Sequence, residues 1–253
     1  MNATAVRRPW QGVLQILRFN WCFYGATTAV IVVALLAAPF LPRLLRAGLL
    51  IGVAPALFWL MSSLLVSYYV YDRFPLYDLN WIPRVLSRIP SRWLNIHCGL
   101  DETSGLLAAI FPGAAFDVVD IFDARVMTEA SIRQARRMQR GAIAATPGRF
   151  DDLPFNSGAF DAAFCIFAAH ELRPDWQRAA LFLEIARVLI PGGELVLMEH
   201  SRDWWNFLAF GPGFLHFFSQ RTWRRTAAKA GFGLQTELSM TPFVHVYVLR
   251  RTM

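Results

Sequence analysis

The chain has 253 residues, room for one α/β domain and a short accessory segment but not for two large domains. Hydrophobic residues make up 55% and charged residues 17%, below the roughly 25% charged share of soluble domains, and the shortfall before residue 72 points to lipid. The net charge of +7 suits nucleic acid or anionic headgroups, and arginines flanking apolar segments favour the headgroups.

The cysteines Cys22, Cys98 and Cys165 are too few and too scattered for a disulfide framework or a thiolate zinc site, which fits a reducing compartment. The apolar stretch from Phe19 is too long for a signal h-region, and a second follows almost at once. Residues 1–70 therefore read as an arm and a transmembrane hairpin. Its spans are Trp21 to Leu41 and Leu49 to Tyr69, each long enough to cross about 30 Å of hydrocarbon. Pro39 and Pro42 close the first span, Pro42 to Arg46 forms the connection, and Pro55 is a kink site in the second. The alternative is a buried core hairpin. Arg7, Arg8 and Arg18 before the hairpin, with Arg73, Arg84 and Arg88 after it, outnumber Arg43 and Arg46 in its loop. That bias predicts an inner-membrane protein with residues 71–253 on the cytoplasmic side.

After a connector, Tyr71 to Arg92, short apolar runs alternate with amphipathic stretches, the pattern of parallel strands joined by crossover helices. Strands are predicted over Trp93 to Cys98, Ala115 to Ile121, Ala159 to Phe167 and Glu194 to Met198. Helices are predicted over Ser104 to Phe111, Thr128 to Arg140 and Trp176 to Leu189. Pro191-Gly192-Gly193 reads as the turn before the fourth strand. A helix over Thr222 to Ala230, closed by Gly231, then precedes an antiparallel pair, Leu234 to Leu238 and Val244 to Leu249. Parallel α/β sheets bind ligands beyond the carboxyl ends of their strands, which singles out Cys98 to Ser104, Asp120 to Asp123, Asp151 to Pro154 and His170-Glu171.

Several runs resemble class I S-adenosylmethionine-dependent methyltransferases, above all the branch that modifies ubiquinone and menaquinone precursors. They are Leu153-Pro154-Phe155, Gly158 with Phe160-Asp161, Glu184 to Leu189 followed by Pro191-Gly192-Gly193, and Ala230-Gly231-Phe232. The resemblance covers roughly Tyr71 to Arg250 and implies a Rossmann-like seven-stranded sheet with S-adenosylmethionine as cofactor. It makes Asp120 the carboxylate for the ribose hydroxyls, with Ile121 beside it. Where the family has an acidic residue and three alternating glycines, this chain has Asn95, His97, Gly99 and Asp101, so His97 and Asp101 should reshape the pocket around Gly99. Asp101 and Glu102 have a second reading, as caps of the helix that follows. Arg149 replaces the family's frequent acidic residue near the adenine, and Asp151 or Asp152 would substitute. Phe116 to Asp120, Cys165 to Leu172 and the aromatic segment after His200 are similar to the rhodoquinone biosynthesis family, which implies a quinone substrate and a cofactor acting as amino donor.

His170 and Glu171 sit where a substrate-facing acid or base is expected, and are the catalytic candidates; the alternative is that His170 caps or packs against its helix. Glu199-His200 offers a second such pair, although nothing in the spacing demands a metal and none is expected. The aromatic segment Trp204 to Phe218 suits a lipid-side lid, a pocket for an apolar small molecule, or a helix packed on the hairpin. Arg133, Arg136, Arg137 and Arg140 form a solvated or headgroup-facing helix, and no nucleic-acid partner is expected. Two functions stay open: a transferase acting on an apolar substrate in the lipid bilayer, or a catalytically degenerate subunit or assembly factor of an inner-membrane protein complex.

Overall fold

Two apolar helices dominate the N-terminal third: α2 (Trp21–Ala37), which tightens into a 3-10 turn at Ala38–Phe40, and α3 (Arg43–Tyr68). Both are long and apolar enough to cross a membrane by length and composition, and only 11% of the most apolar window of either is buried. A core hairpin would hide its apolar surface, so that alternative fails. The predicted connection is too long: only Leu41 and Pro42 separate the turn from α3, and Arg43 and Arg46 belong to the first turn of α3. The computed structural model describes residues 9–139 and 143–252; Arg7, Arg8 and Arg140 of the charge reading lie outside the described residues.

A helix absent from the sequence expectations, α1 (Gln11–Phe19), precedes the hairpin. Its first turn has no local side-chain cap. The orphan amides are met instead by Asp72, whose carboxylate accepts from Gly12 N at 2.7 Å and Val13 N at 2.9 Å. Asp72 lies in a π turn over Tyr69–Arg73 that ends α3, and Trp10 stacks on Tyr68 at 4.2 Å. The segment read as a passive connector is a core layer: Leu76, Leu79 and Ile82, the last in the one-turn α4 (Ile82–Val85), are fully buried beneath the sheet. Each contributes about 1.5–3 kcal/mol.

The sheet comprises β1 (Arg92–His97), β2 (Ala115–Asp120), β3 (Thr146–Pro147), β4 (Phe160–Ile166), β5 (Leu189–His200), β6 (Phe232–Thr241) and β7 (Val244–Arg251). Its order is β3-β2-β1-β4-β5-β7-β6, with β7 antiparallel to both neighbours and the others parallel. The chain reverses between β1 and β4, which is where such sheets open a crevice. The helices α5 (Ser104–Ile110), α6 (Ala130–Met138), α7 (Asp175–Val188) and α9 (Gln220–Lys229) fall within a few residues of their predicted bounds. α8 (Trp204–Phe210) opens the aromatic segment. Pro191-Gly192-Gly193 is not a turn before a strand. It lies within β5, whose register jumps from Phe160↔Leu189 to Ala162↔Glu194, so the extra residues bulge.

His200, the last residue of β5, joins the hairpin to the sheet. Its Nδ1 lies 2.9 Å from Phe243 O, a pure acceptor, so Nδ1 carries the proton. Nε2 then accepts from the Tyr71 hydroxyl at 2.6 Å. The ring stacks between Phe167 at 5.2 Å and Phe217 at 4.7 Å. Burial, together with the nearby His170, depresses this imidazole to about 4, against the pull of the Phe243 carbonyl.

Two outcomes follow from these joints. In Gly12→Ala the new methyl would stand 2.3 Å from Tyr71 Cβ, which cannot move without the backbone. Undocking of α1, at a cost of about 1–3 kcal/mol, should appear as faster amide exchange over residues 11–19 with an unchanged sheet. For His200 the folded pKa lies below the unfolded one, so its contribution is complete above about pH 6.5 and is lost as pH falls toward 4, by up to about 3 kcal/mol. Melting temperatures of the full-length protein across that window should fall. His200→Phe, which keeps an aromatic ring in the stack, should flatten the profile while lowering stability at neutral pH.

Candidate functional site

Parallel register aligns the strand tips. His97 pairs with Asp120 across β1 and β2, and the ladder continues as Ile121 N donates to His97 O at 2.9 Å. Gly99 and Asp120 therefore border one crevice. The register also distinguishes Asp120 from its acidic neighbours, because Asp117 pairs with Arg92 and Asp123 with Arg125 on the surface. Ile121 is fully buried and faces no opening, whereas Asp152 lies exposed beside the β2 tip. The Asp151 carboxylate binds the Arg149 guanidinium at 2.9 Å, whereas Asp152 meets Arg149 through a backbone bridge, so of the two adenine-side candidates Asp152 is the one whose carboxylate that guanidinium does not hold. The two best-matching sequence runs hold each other: Glu184 accepts from Leu153 N, and Arg187 donates to the carbonyls of Leu153 and Phe155.

At the β1 tip, Asp101 Oδ1 accepts from Thr103 N and Ser104 N at 3.1 and 3.0 Å, which realises the helix-cap reading. Asn95, in the place of the family's acidic residue, donates to Thr103 and Ser104, and its Oδ1 is buried without a partner. His97 is 6% exposed with both ring nitrogens unpartnered. Burial pushes its imidazole down, against Asp101 and Asp120. Three orphaned polar atoms in one cradle are unusual, because each costs roughly 1–3 kcal/mol if nothing binds it.

α6 covers this crevice, and the sequence did not reveal that. Ile132 and Ala135 lie against Gly99, where an added Cβ would meet them at 3.6–3.7 Å. Arg136 Nη1 holds Asp120 Oδ2 at 2.6 Å and lies over the Phe122 ring, while Gln139 accepts from Asp101 N at 2.7 Å. Arg136, read from sequence as a solvated or headgroup residue, is thus the partner of the main cofactor candidate. α1 lies against α6, and its Gln15 donates to Glu102 at 2.8 Å. This cover is modest. A partly exposed ion pair is worth about 0.2–1 kcal/mol and one buried isoleucine about 1.5–3, against about 8 for a micromolar ligand. The orphaned atoms of His97 and Asn95, the Cβ-free Gly99 and the carboxylate of Asp120 therefore fit a polar nucleoside ligand, provided α6 gives way.

The β4 tip carries the second cluster. Phe167 adopts φ +51°, a strained backbone for a non-glycine residue at about 1–3 kcal/mol, and the chain then turns through a 3-10 segment at Ala169–Glu171. His170 Nδ1 meets Glu199 Oε2 at 2.7 Å, and His170 N donates to Glu199 Oε1 at 3.2 Å. His170 Nε2 lies 3.5 Å from Glu171 Oε1. Burial alone would depress this imidazole, but Glu199 and Glu171 outweigh it and raise it to about 10. Of the two predicted acid-base pairs, His170, Glu171 and Glu199 come together, while His200 is engaged by Tyr71 and Phe243.

The aromatic segment bridges the hairpin and this cluster. α8 is capped by Asp203, packs Phe207 on Trp59 at 5.5 Å, and takes a bond from Ser62 Oγ to Leu208 O at 3.2 Å. Gly211 has φ +54° and any Cβ there would strike Trp59 at 2.6 Å, so only glycine permits this approach. A 3-10 segment, Gly211–His216, then delivers His216 beside His170, with ring centroids 5.0 Å apart. His216 escaped the sequence reading because it lies in an aromatic run far from His170 in the chain. An open cleft of about 610 Å³ beside Tyr69, Trp205 and His245 reaches neither Gly99 nor Asp120.

Comparison with known proteins agrees with this geometry. A family model described as "Methyltransferase domain" matches residues 94–197, and no curated protein matches the sequence. Human N-acetylserotonin methyltransferase, solved in complex with S-adenosylmethionine, is similar with a TM-score of 0.53 and 14% identity over 77% of this chain and 56% of that one. The [4+2]-cyclase SpnF gives 0.51 and 16% over 70% and 80%. The pyocyanin biosynthetic protein PhzM gives 0.51 and 13% over 75% and 58%. At such identities the likeness establishes the fold alone. The matched segment, the strand order and the antiparallel β7 together give this chain the fold of the class I S-adenosylmethionine-dependent methyltransferases.

Proposed function

We propose that the protein is a membrane-anchored S-adenosylmethionine-dependent transferase that acts on an apolar molecule drawn from the bilayer, a quinone or a lipid. The observation that carries this reading is the aromatic segment, which touches the apolar hairpin at Trp59 and Ser62 and ends in His216 beside the β4-tip cluster. Trp59 lies about 13 Å along α3 from Tyr68. With Tyr68 and Tyr69 at headgroup level, α8 dips below it and presents the exposed Trp204 and Trp205 to lipid. Arg43 and Arg46 support insertion too. They stand at the positive end of the α3 dipole, unfavourable by about 0.3–1 kcal/mol in water and offset by anionic headgroups. The arginine bias among the described residues, Arg18, Arg73, Arg84 and Arg88 against Arg43 and Arg46, supports a cytoplasmic position for the domain at an inner membrane.

In this reading Asp120 accepts the ribose hydroxyls, Gly99 admits the backbone side of the ligand, His97 and Asp101 border its amino-acid end, and Asp152 flanks the adenine. Bound S-adenosylmethionine would supply an electrophilic sulfonium carbon. The chain's own residues orient the acceptor: the Glu199-anchored His170 and Glu171 hold or move its proton, and the aromatic segment keeps water from the reacting face. The hydrophobic anchor keeps catalyst and substrate in one phase and raises effective concentration.

The α6 cover favours a second reading, a methyltransferase-fold subunit or assembly factor of an inner-membrane complex that has given up its cofactor. Calorimetry of the full-length protein in detergent separates the two. The transferase reading expects S-adenosylmethionine to bind in the micromolar range, Asp120→Asn to weaken it at least tenfold, and Arg136→Ala to tighten it several-fold by freeing Asp120. No heat from either wild type or Arg136→Ala at up to about 1 mM ligand would leave only the second reading.

A further inference from the structure

The β4-tip cluster has a feature that neither proton transfer nor packing requires. His170, Glu171 and His216 each offer a donor atom, and the three atoms lie within 4.8 Å of one another. In both histidines a carboxylate takes Nδ1: Glu199 holds His170 at 2.7 Å and Glu129 holds His216 at 3.1 Å. This is the second-shell arrangement that fixes the tautomer of a metal-ligating imidazole and leaves Nε2 to the ion.

The burial of Glu171 points to a cation at this cluster. Glu171 is 7% exposed, and its Oε2 is buried with no hydrogen-bond partner, a costly state that a metal would relieve. Arg173 Nη1 donates to His170 O at 3.2 Å and to His216 O at 2.5 Å, which holds together two donor residues from distant parts of the chain. A hydrogen-bonded proton network would need neither the second histidine nor its carboxylate.

We propose that His170, Glu171 and His216 bind a divalent transition-metal cation through two imidazole nitrogens and one carboxylate oxygen, so that with the ion bound His170 and Glu171 act on the acceptor through it and no longer exchange its proton directly. The donor set suits zinc, iron(II), cobalt(II) or manganese(II) better than magnesium or calcium, which favour all-oxygen sites. At about 2.0–2.1 Å from each donor, a tetrahedral ion needs them roughly 3.3 Å apart, so the 3-10 segment carrying His216 draws toward the strand tip as the ion binds. Three protein ligands leave coordination positions open. There a hydroxyl, phenol or keto oxygen of an apolar substrate would complete the sphere. Through Glu129, the residue just before α6, the ion would also tie the substrate side to the helix over the cofactor crevice.

The test needs no cofactor, so its result is independent of the transferase reading. Full-length protein in detergent is stripped with chelator, equilibrated with micromolar zinc or manganese, separated from free ion and assayed for bound metal; cobalt(II) substitution reports nitrogen ligation by absorption. One ion per chain is expected. Glu171→Gln and His216→Ala should each weaken binding at least tenfold with an unchanged metal-free melting temperature, and Glu129→Gln should weaken it about tenfold or more. His245→Asn, at a histidine outside the cluster, should bind as wild type does. Absence of stoichiometric binding by wild type, or equal binding by wild type, Glu171→Gln and His216→Ala, overturns the proposal.

Discussion

The position of everything above the sheet depends on one neutral imidazole. His200 receives a hydrogen bond from Tyr71 in the π turn, gives one to Phe243 at the β6–β7 turn, and fills the gap between Phe167 at the β4 tip and Phe217 in the aromatic segment. Four parts of the chain meet at one ring whose tautomer is dictated by an acceptor that cannot donate. The strained φ of Phe167 persists because this stack holds it, and that strain turns the chain so that His170 and Glu171 face across to Glu199. A protonated His200 would place two donors against Tyr71 and Phe243 and a charge between two phenyl rings. The joint therefore holds only while the site around it keeps this ring uncharged.

The electrostatics beyond that joint sort the remaining groups into two neighbourhoods. At the β1 and β2 tips the acidic residues are already satisfied, Asp120 by Arg136 and Asp101 by the amides of α5, while the orphans are neutral: His97 and the Asn95 carbonyl. At the β4 tip the balance reverses. Glu129, Glu171 and Glu199 converge on two imidazoles, and the fixed cation beside them is Arg173. The first neighbourhood suits a zwitterionic or polar neutral ligand, and the second suits a cation. Both are closed over by segments that answer to the hairpin, α6 through α1 and the aromatic segment through α3.

How much of this was legible in the sequence follows from the range of the interactions. Strands β1, β2 and β4 announced themselves because buried parallel strands are continuous apolar runs, and the two long apolar helices because charge vanishes over twenty residues at a time. The Pro191-Gly192-Gly193 run misled because such dipeptides mark turns by default. Here Gly193 sits where a Cβ would come within 2.9–3.0 Å of the carbonyls of Ile190 and Asp161, which makes it a close-packed bulge. α1 was invisible because its cap, Asp72, lies in another part of the chain. Asp120 was readable from its place after an apolar strand, but Arg136 was not, since an arginine on an amphipathic helix looks the same whether it meets solvent or a strand tip. His216 had no local signal at all; only the fold brings it to His170.

The fold by itself leaves the chemistry undetermined. Proteins with this sheet include one named for methyl transfer and one named for a [4+2] cyclisation, so the strand order supplies a crevice and no particular reaction. What distinguishes this chain lies at two strand tips. The glycines that would let a cofactor lie flat on the β1 loop are reduced to Gly99, which loosens the demand for that ligand. The β4 tip carries a half-buried histidine pair, each ring anchored by a carboxylate, beside the unsatisfied carboxylate oxygen of Glu171. Each unpaired polar atom in a dry site costs free energy. The three at the end of β1 and the one at Glu171 would recover it when something polar or charged binds there.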